Sequence, residues 1–462
     1  MLQEEGGHVL TVLPNRLVWT ARLSALALAL ALPHAVSAQT TNFNWVRCTD
    51  VHVDLRIAGC SALIASGRES GENLAEALHN RATAFQEKRL YDRAVADYSQ
   101  ALTLDPDLIG ALKGRAWILA LEGRHREAVD DLDRAVKLEP NDPKLYLRRG
   151  SSLRAAGRYD DAVADFDRAI ALDPRLPEAY AGRGGALADK GEFGLAVAAY
   201  DHALALRPKF AEALSLRGDA YLHEAQYVRA FEDLDRAVAL EPSNPVVFDL
   251  RGNAFIERKL YDQALADFER AIALNPKDGH AVHGRARAYL YKGEYDRALA
   301  DYDRTIELEP ENAAGYAGRG YVLLQKGAYD HALQDLDRAL ELKPTDAFSY
   351  GARCWTNVLL NRAAAGIADC NRSLELRASY APALDWRGYA KLRLGKPAAA
   401  LADFDAALAI DPRLASSLLG RGLAKRRAGD PAGADADIAA AVALKPAVVS
   451  EYARFGFADA PR

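Results

Sequence analysis

Hydrophobic, small and polar residues recur along this chain with a period of 34 residues. Prolines mark one point of the period, and their gaps are all 34 residues except one of 68, where Ala378 takes the missing place. These are Pro106, Pro140, Pro174, Pro208, Pro242, Pro276, Pro310, Pro344, Pro412 and Pro446. With proline counted as position 32, eleven units run without a gap from residue 75 to residue 448. A fixed period of this size indicates a repeat architecture in which each unit packs on its neighbours.

Each unit contains two amphipathic stretches. Apolar or small residues occupy positions 4, 8 and 11, and again positions 20, 24 and 27, so each set lies on one face of a helix. Glycine at position 15 in seven units, for example Gly157, is expected to end the first helix, and the proline ends the second. The pattern predicts a hairpin of a helix A and a helix B in every unit.

These columns carry a resemblance to a known family. Position 8 is Gly or Ala in ten units, as at Gly150 and Gly184, and position 20 is Ala in ten, as at Ala94 and Ala128. The pattern resembles tetratricopeptide repeats, which share the 34-residue period. The resemblance covers 374 of the 462 residues. It implies an all-α fold, a TPR-type α-solenoid in which about eleven helix-turn-helix hairpins form a right-handed superhelix with helical end caps.

The first 38 residues have the features of a secretory signal peptide. Arg16 and Arg22 precede an apolar run at residues 23–32, and small residues lead up to a cleavage point between Ala38 and Gln39. An uncleaved signal anchor is the alternative, but ten apolar residues span only about half a bilayer as a helix. The sequence therefore predicts a periplasmic or secreted protein with no membrane insertion after signal cleavage.

Little chain remains outside the signal peptide and the repeats. Residues 39–74 are predicted to form an N-terminal cap with one helix, at residues 54–67, and a disulfide. Residues 449–462 are predicted to form a C-terminal capping helix and tail, since open ends of solenoids need covering. Neither piece can hold a catalytic domain, so we predict no enzyme activity and no catalytic, cofactor or metal residues. A net charge of −5 without a basic tail argues against a nucleic-acid partner.

The four cysteines are expected to form two disulfides in an oxidising compartment. Cys354 at position 8 and Cys370 at position 24 are equally far from the turn of one hairpin and should face each other. Cys48 and Cys60 form the other pair, within the N-terminal cap. The unit at residues 347–380 is the most irregular, and three interpretations remain open: sequence drift, a local bend or a functional joint.

Two polar columns are unusual. Position 7 is Arg in all eleven units, and position 23 is Asp in all but one, where Ala199 stands. The first interpretation is a structural ladder of ion pairs between helix A and helix B; the alternative is an arginine rail for anionic ligands. The ladder is represented by the pairs Arg149 and Asp165, Arg251 and Asp267, and Arg319 and Asp335.

The resemblance also implies where a partner would bind, since position 9 of helix A faces the groove in this family. Three consecutive units carry an aromatic residue there, namely Tyr321, Trp355 and Tyr389, and Trp386 and Tyr291 lie nearby. These rings either form a binding stripe or pack on neighbouring A helices and complete the core.

The function implied by the resemblance is a non-catalytic exported scaffold that binds a protein or peptide in its groove. An accessory subunit of a cell-envelope enzyme or of a polysaccharide-handling assembly is the alternative, because sugar rings stack on aromatic side chains. The partner's identity and the oligomeric state do not follow from the sequence.

Overall fold

The computed structural model describes residues 43–457, which divide into two compact units on either side of the Pro208–Lys209 bond. Within residues 43–457 the regular structure is α-helical and contains no strand, which confirms the predicted fold class. The predicted signal peptide, residues 1–38, lies outside the described residues. None of the described helices is long and apolar enough to cross a membrane.

The first unit begins with a short helical segment, α1, at residues 43–48. Nine longer helices follow: α2 (Val53–Ser66), α3 (Gly71–Glu87), α4 (Tyr91–Leu104), α5 (Ile109–Leu121), α6 (His125–Leu138), α7 (Pro143–Ala155), α8 (Tyr159–Leu172), α9 (Pro177–Asp189) and α10 (Phe193–Leu206). From α3 onward, odd-numbered helices are A helices and even-numbered ones are B helices, and successive helices pack as antiparallel hairpins.

The second unit continues the alternation. Its helices are α11 (Ala211–His223), α12 (Tyr227–Leu240), α13 (Pro245–Glu257), α14 (Tyr261–Leu274), α15 (Gly279–Lys292), α16 (Tyr295–Leu308), α17 (Ala313–Gln325), α18 (Tyr329–Leu342), α19 (Ala347–Leu359), α20 (Ala363–Leu376), α21 (Ala381–Arg393), α22 (Pro397–Ile410), α23 (Ala415–Arg427), α24 (Pro431–Leu444) and α25 (Val448–Arg454). The last, α25, has no B helix after it among the described residues.

In every hairpin but the one with Cys370, the small residues make room for one large side chain at position 24. In the first unit this is the fully buried ring of Phe166. A Cβ atom on Gly150 of the same hairpin would lie 3.1 Å from that ring, and one on Gly182 of the next hairpin would lie 2.4 Å from it. Phe268 lies in the same way between two glycines of the second unit. In these hairpins the ring therefore joins the hairpin to its neighbour, and the small residues follow from its size.

Every hairpin turns through a left-handed residue at position 15. The seven glycines there have φ between 69° and 92°. The other four units place Arg89, Ala225, Lys259 and Asn361 in the same conformation, with φ between 56° and 60°. The turn geometry is thus imposed by the packing of the two helices even where glycine is missing.

The predicted Arg–Asp pairs lie within hydrogen-bond distance in the structure. Arg149 donates from Nε and Nη2 to the two carboxylate oxygens of Asp165, at 2.7 and 2.6 Å. Its Nη1 donates at 2.8 Å to Asp133, which belongs to the preceding hairpin. The same bidentate pairing occurs at Arg251 with Asp267 and at Arg319 with Asp335. These guanidinium groups are saturated by carboxylates, which supports the ladder rather than a rail for anionic ligands.

Two disulfides occur within the described residues. Cys48 and Cys60 join α1 to α2 with Sγ atoms 2.05 Å apart, and Cys354 and Cys370 join α19 to α20 with Sγ atoms 2.07 Å apart. All four cysteines are fully buried. This is the pairing expected from the sequence, and disulfides of this kind are compatible with an oxidising compartment.

Candidate functional site

A cavity of about 910 Å³ lies in the second unit. It is bounded by the A helices α17, α19, α21 and α23, by the first residues of the B helices α16 and α18, and by the chain at and after the end of α24. We call it the groove cavity. Its aromatic lining residues are Tyr295, Tyr321, Tyr329, Trp355, Trp386, Tyr452 and Phe455. An open space of this size, lined by aromatic rings and by several charged side chains, can hold a ligand.

One end of the groove cavity is closed by the chain's own C-terminal segment, residues 448–457. Its rings pack on Trp355 of α19, with ring centres 5.9 Å away for Tyr452, 5.8 Å for Phe455 and 6.0 Å for Phe457. Tyr389 of α21 stacks on Tyr452 at 4.6 Å. We call these five rings the aromatic cluster.

Two features bring Phe457 back onto this cluster. Gly456 has a φ of 75°, in the left-handed region that glycine adopts without strain, and it reverses the chain after α25. The guanidinium group of Arg393 lies over the Phe457 ring at 4.3 Å and donates a hydrogen bond to the Phe455 carbonyl. Burial, with nearby Arg427, lowers the pKa of Arg393.

The wall of the groove cavity is electropositive. Lys326, Arg413, Lys445 and Arg454 line it, against the single carboxylate of Glu451. Lys326 pairs with Asp296, and Lys445 lies 2.6 Å from Glu451. Arg413 and Arg454 are exposed, and neither side chain has an ion-pair partner among the described residues. These two cations can bind an anionic group of a ligand.

A buried acid lies beneath the aromatic cluster. Asp385 is 2% exposed and accepts a hydrogen bond from the Ser417 hydroxyl at 2.6 Å. Burial raises the pKa of Asp385 to about 7. Beside it, Tyr389 donates a hydrogen bond to the Ser416 carbonyl at 2.7 Å, and burial raises the pKa of Tyr389 well above its usual value.

The residues predicted as a binding stripe have different environments. Tyr389 is fully buried, Trp355 and Trp386 are 6% and 8% exposed, and Tyr291 is 54% exposed. Tyr321 is half-buried beside Phe348. Trp355 and Tyr389 are therefore packed rather than exposed, because the C-terminal segment covers both rings. Tyr321, Trp355 and Trp386 nevertheless line the groove cavity.

Sequence reasoning missed Arg393, Arg413 and Phe457. The two arginines belong to no repeating column, and Phe457 follows the predicted capping helix. The one available signal was the cluster of three aromatic residues within the last eleven positions of the sequence. An interpretation as a simple cap did not require those rings to reach α19.

Family models agree with the repeating hairpins. Models described as tetratricopeptide repeat match residues 75–108, 247–278, 283–347 and 381–414. A model described as TPR repeat matches residues 150–191 and 184–223. The chain belongs to the tetratricopeptide repeat family. Members of this family are generally non-catalytic and mediate contacts between proteins.

Two solved structures with TM-scores above 0.5 have the same fold at low sequence identity. A chain in the crystal structure of the APC/C hetero-tetramer Cut9–Hcn1 is 14% identical, with 85% of this chain and 90% of that chain covered and a TM-score of 0.51. The human IFIT1 dimer with PPP-AAAA is 16% identical, with 84% and 94% covered and a TM-score of 0.51. A tetratricopeptide repeat protein from Parabacteroides merdae is 22% identical, with 54% and 98% covered and a TM-score of 0.45. No curated protein matches the sequence.

Proposed function

We propose that this protein is an exported, non-catalytic scaffold whose groove cavity binds a segment of a protein partner. The observation that carries the proposal is the groove cavity itself, about 910 Å³ and lined by aromatic residues of successive A helices. Buried aromatic side chains in pockets contribute most of the binding energy at protein interfaces. A site built on four packed helices is also preformed, which lowers the entropy cost of binding.

The charges of the cavity wall define the partner's chemistry. The side chains of Arg413 and Arg454 are exposed cations without an acidic partner among the described residues, and Lys326 and Lys445 lie on the same wall. A peptide with carboxylates beside apolar or aromatic side chains complements this surface. We therefore propose an acidic, aromatic-bearing peptide segment as the ligand.

The proposed location outside the cytoplasm rests on two independent observations. The sequence begins with a stretch that has the order of a secretory signal: basic residues, ten apolar residues and a small-residue exit. The described part of the chain contains two buried disulfides, which persist in oxidising compartments. Cleavage after Ala38 would leave the periplasmic or secreted protein with both disulfides.

A polysaccharide-handling role is the second candidate. Tyr291 is 54% exposed and stacks on Tyr261 with ring centres 5.7 Å apart, so it offers an open ring face. This pair lies outside the groove cavity. The two candidate functions therefore place the ligand on different residues. Substitutions of those residues distinguish the two functions.

The test is capture of a partner from cell-envelope extracts by the full-length protein. We expect Arg413→Glu to abolish capture of that partner, because it reverses an exposed charge on the cavity wall without breaking an ion pair. Arg270→Glu, an exposed charge reversal on the B helix α14, is the matched control and should retain it. A partner captured equally by both variants would contradict the proposal. Binding of envelope polysaccharide that is lost in Tyr291→Ala would support the second candidate instead.

A further inference from the structure

The C-terminal segment makes contacts beyond those that a capping helix needs. As a final A helix, α25 needs only to cover the open faces of α23 and α24. Its rings instead reach Trp355 of α19, which belongs to the second hairpin before that of α23 and α24. The segment therefore lies across the A helices, where a peptide ligand of this face would lie.

The receptor side of this contact is built independently of the segment. Tyr389 packs on Phe404 of its own hairpin at 5.1 Å, and its hydroxyl is held by the Ser416 carbonyl. Trp355 follows Cys354, which the disulfide to Cys370 ties to helix α20. These two rings would keep their positions if the segment moved away, and we call them the ring subsite.

The segment itself is weakly held outside its rings. Helix α25 has seven residues, too few to be stable alone in water. Its ion pair, Glu451 with Lys445, is partly exposed at 32% and 53%, and such pairs contribute little stability. The remaining attachment is the burial of its rings and of Val448, the hydrogen bond of Tyr452 to Ser416 and the contacts of Arg393. These are side-chain contacts of a single short helix, which can open without unfolding the hairpins on which it lies.

The ring subsite and the groove cavity are continuous. Trp355, Tyr452 and Phe455 line the cavity as well as belonging to the aromatic cluster. Movement of the segment would open the cavity directly onto the faces of Trp355 and Tyr389. The segment shows what chemistry fits there, namely aromatic side chains three residues apart on a short helix.

We propose that the ring subsite binds aromatic side chains of the partner, and that the C-terminal segment occupies it until the partner displaces the segment. This inference rests on the proposed function, since it extends the same groove. A tethered competitor lowers the partner's apparent affinity by the fraction of molecules in which the segment is open. A minor state populated at roughly 0.1–10% weakens binding by about 10- to 1,000-fold.

The experiment uses a labelled synthetic peptide of residues 446–457 as the probe and measures its binding to full-length proteins. We compare the native chain with Tyr452→Ser/Phe457→Ser, which removes two rings of the segment and leaves the ring subsite intact. The variant should bind the probe about 10- to 1,000-fold more tightly than the native chain. Adding Trp355→Ala to this variant should abolish the gain, whereas adding Trp117→Ala, an exposed tryptophan of the first unit, should not.

Phe455→Ser removes the third ring of the segment and guards against a misfolded double variant. It leaves Arg393 and the ring subsite intact, so it should also tighten probe binding. Equal affinity of the native chain and both variants, or no binding to any of them, would overturn the inference. The envelope capture that depends on Arg413 would be unaffected by that result, so the proposed function would stand or fall separately.

Discussion

Arg251 donates two hydrogen bonds to the buried carboxylate of Asp267, from Nε at 2.7 Å and from Nη2 at 2.8 Å. Its remaining nitrogen binds the exposed Asp235 of the preceding hairpin at 2.8 Å. One guanidinium group therefore closes its own hairpin and attaches it to its neighbour. Asp267 is only 6% exposed, so its carboxylate is bound by this arginine in place of water.

If the ladder is correct, loss of the buried ion pair should destabilise the protein more than loss of the exposed one. Arg251→Leu leaves the Asp267 carboxylate buried and unpaired, and we expect a loss of about 3 kcal/mol in the free energy of unfolding. Asp235→Ala removes only an exposed partner and should cost less than about 1 kcal/mol. Urea denaturation of both variants measures the difference, and equal losses would refute the ladder.

In the irregular hairpin at residues 347–380, a substitution that restores the residue common to the other hairpins should destabilise the protein. Position 20 is Ala in every other hairpin but Gly366 here. A Cβ atom on Gly366 would lie 2.9 Å from the Cys354 carbonyl oxygen, closer than a real Cβ contact allows. Gly366→Ala should therefore lower the free energy of unfolding by about 1–3 kcal/mol.

The same position of the preceding hairpin provides the control for Gly366→Ala. Ala332→Gly should also destabilise, by roughly 1 kcal/mol, because glycine is a poor helix former. Thermal melting of both variants checks the pair. An increase in melting temperature for Gly366→Ala would show that the two helices are not held as closely as described.

At position 15, where the backbone is left-handed, replacement of another residue by glycine should stabilise the protein. Lys259 has a φ of 58°, a conformation that costs a side chain with a Cβ about 1–2 kcal/mol. Lys259→Gly removes that strain and should stabilise the protein by roughly 0.5–1 kcal/mol, after the entropy cost of glycine. Gly157→Ala, at a φ of 78°, should destabilise it. Denaturation midpoints that move in the same direction for both variants would contradict the turn geometry.

The buried carboxyl group of Asp385 should make the stability of the second unit depend on pH. Burial raises the pKa of Asp385 to about 7, above the usual value of 3.8. The folded state therefore binds the proton more tightly than the unfolded state, and stability falls as the pH rises from about 4 to 7. The groups facing this carboxyl are Ser416, Ser417, Tyr389 and Tyr452.

Asp385→Asn should remove that dependence. The variant should gain on the order of 3 kcal/mol in unfolding free energy relative to the native chain at pH 8, and little at pH 4. The amide oxygen of the substituted side chain can still accept the hydrogen bond of Ser417. Urea denaturation at the two pH values measures the change. A difference between variant and native chain that is the same at both values would contradict the raised pKa.

The hairpins were predictable because their packing residues recur every 34 positions. Gly150, Ala162 and Phe166 are interpretable only through the ten other units that repeat their pattern. The second carboxylate that several ladder arginines bind, such as Asp133, was not recognised, because an aspartate on a B helix has the same appearance as a solvated surface residue. The C-terminal contacts were not predictable for another reason. Arg393 and Phe455 are 62 residues apart, and their contact occurs once, so no period marks it.

The central claim is that the groove cavity of the second unit binds the partner. The most direct measurement places a photo-crosslinking amino acid at Tyr321, on the cavity wall, and at Val228, which is 74% exposed on the B helix α12. After irradiation in intact cells, we expect a partner adduct from position 321 and none from position 228. An adduct from position 228 alone, or equal adducts from both, would contradict the account.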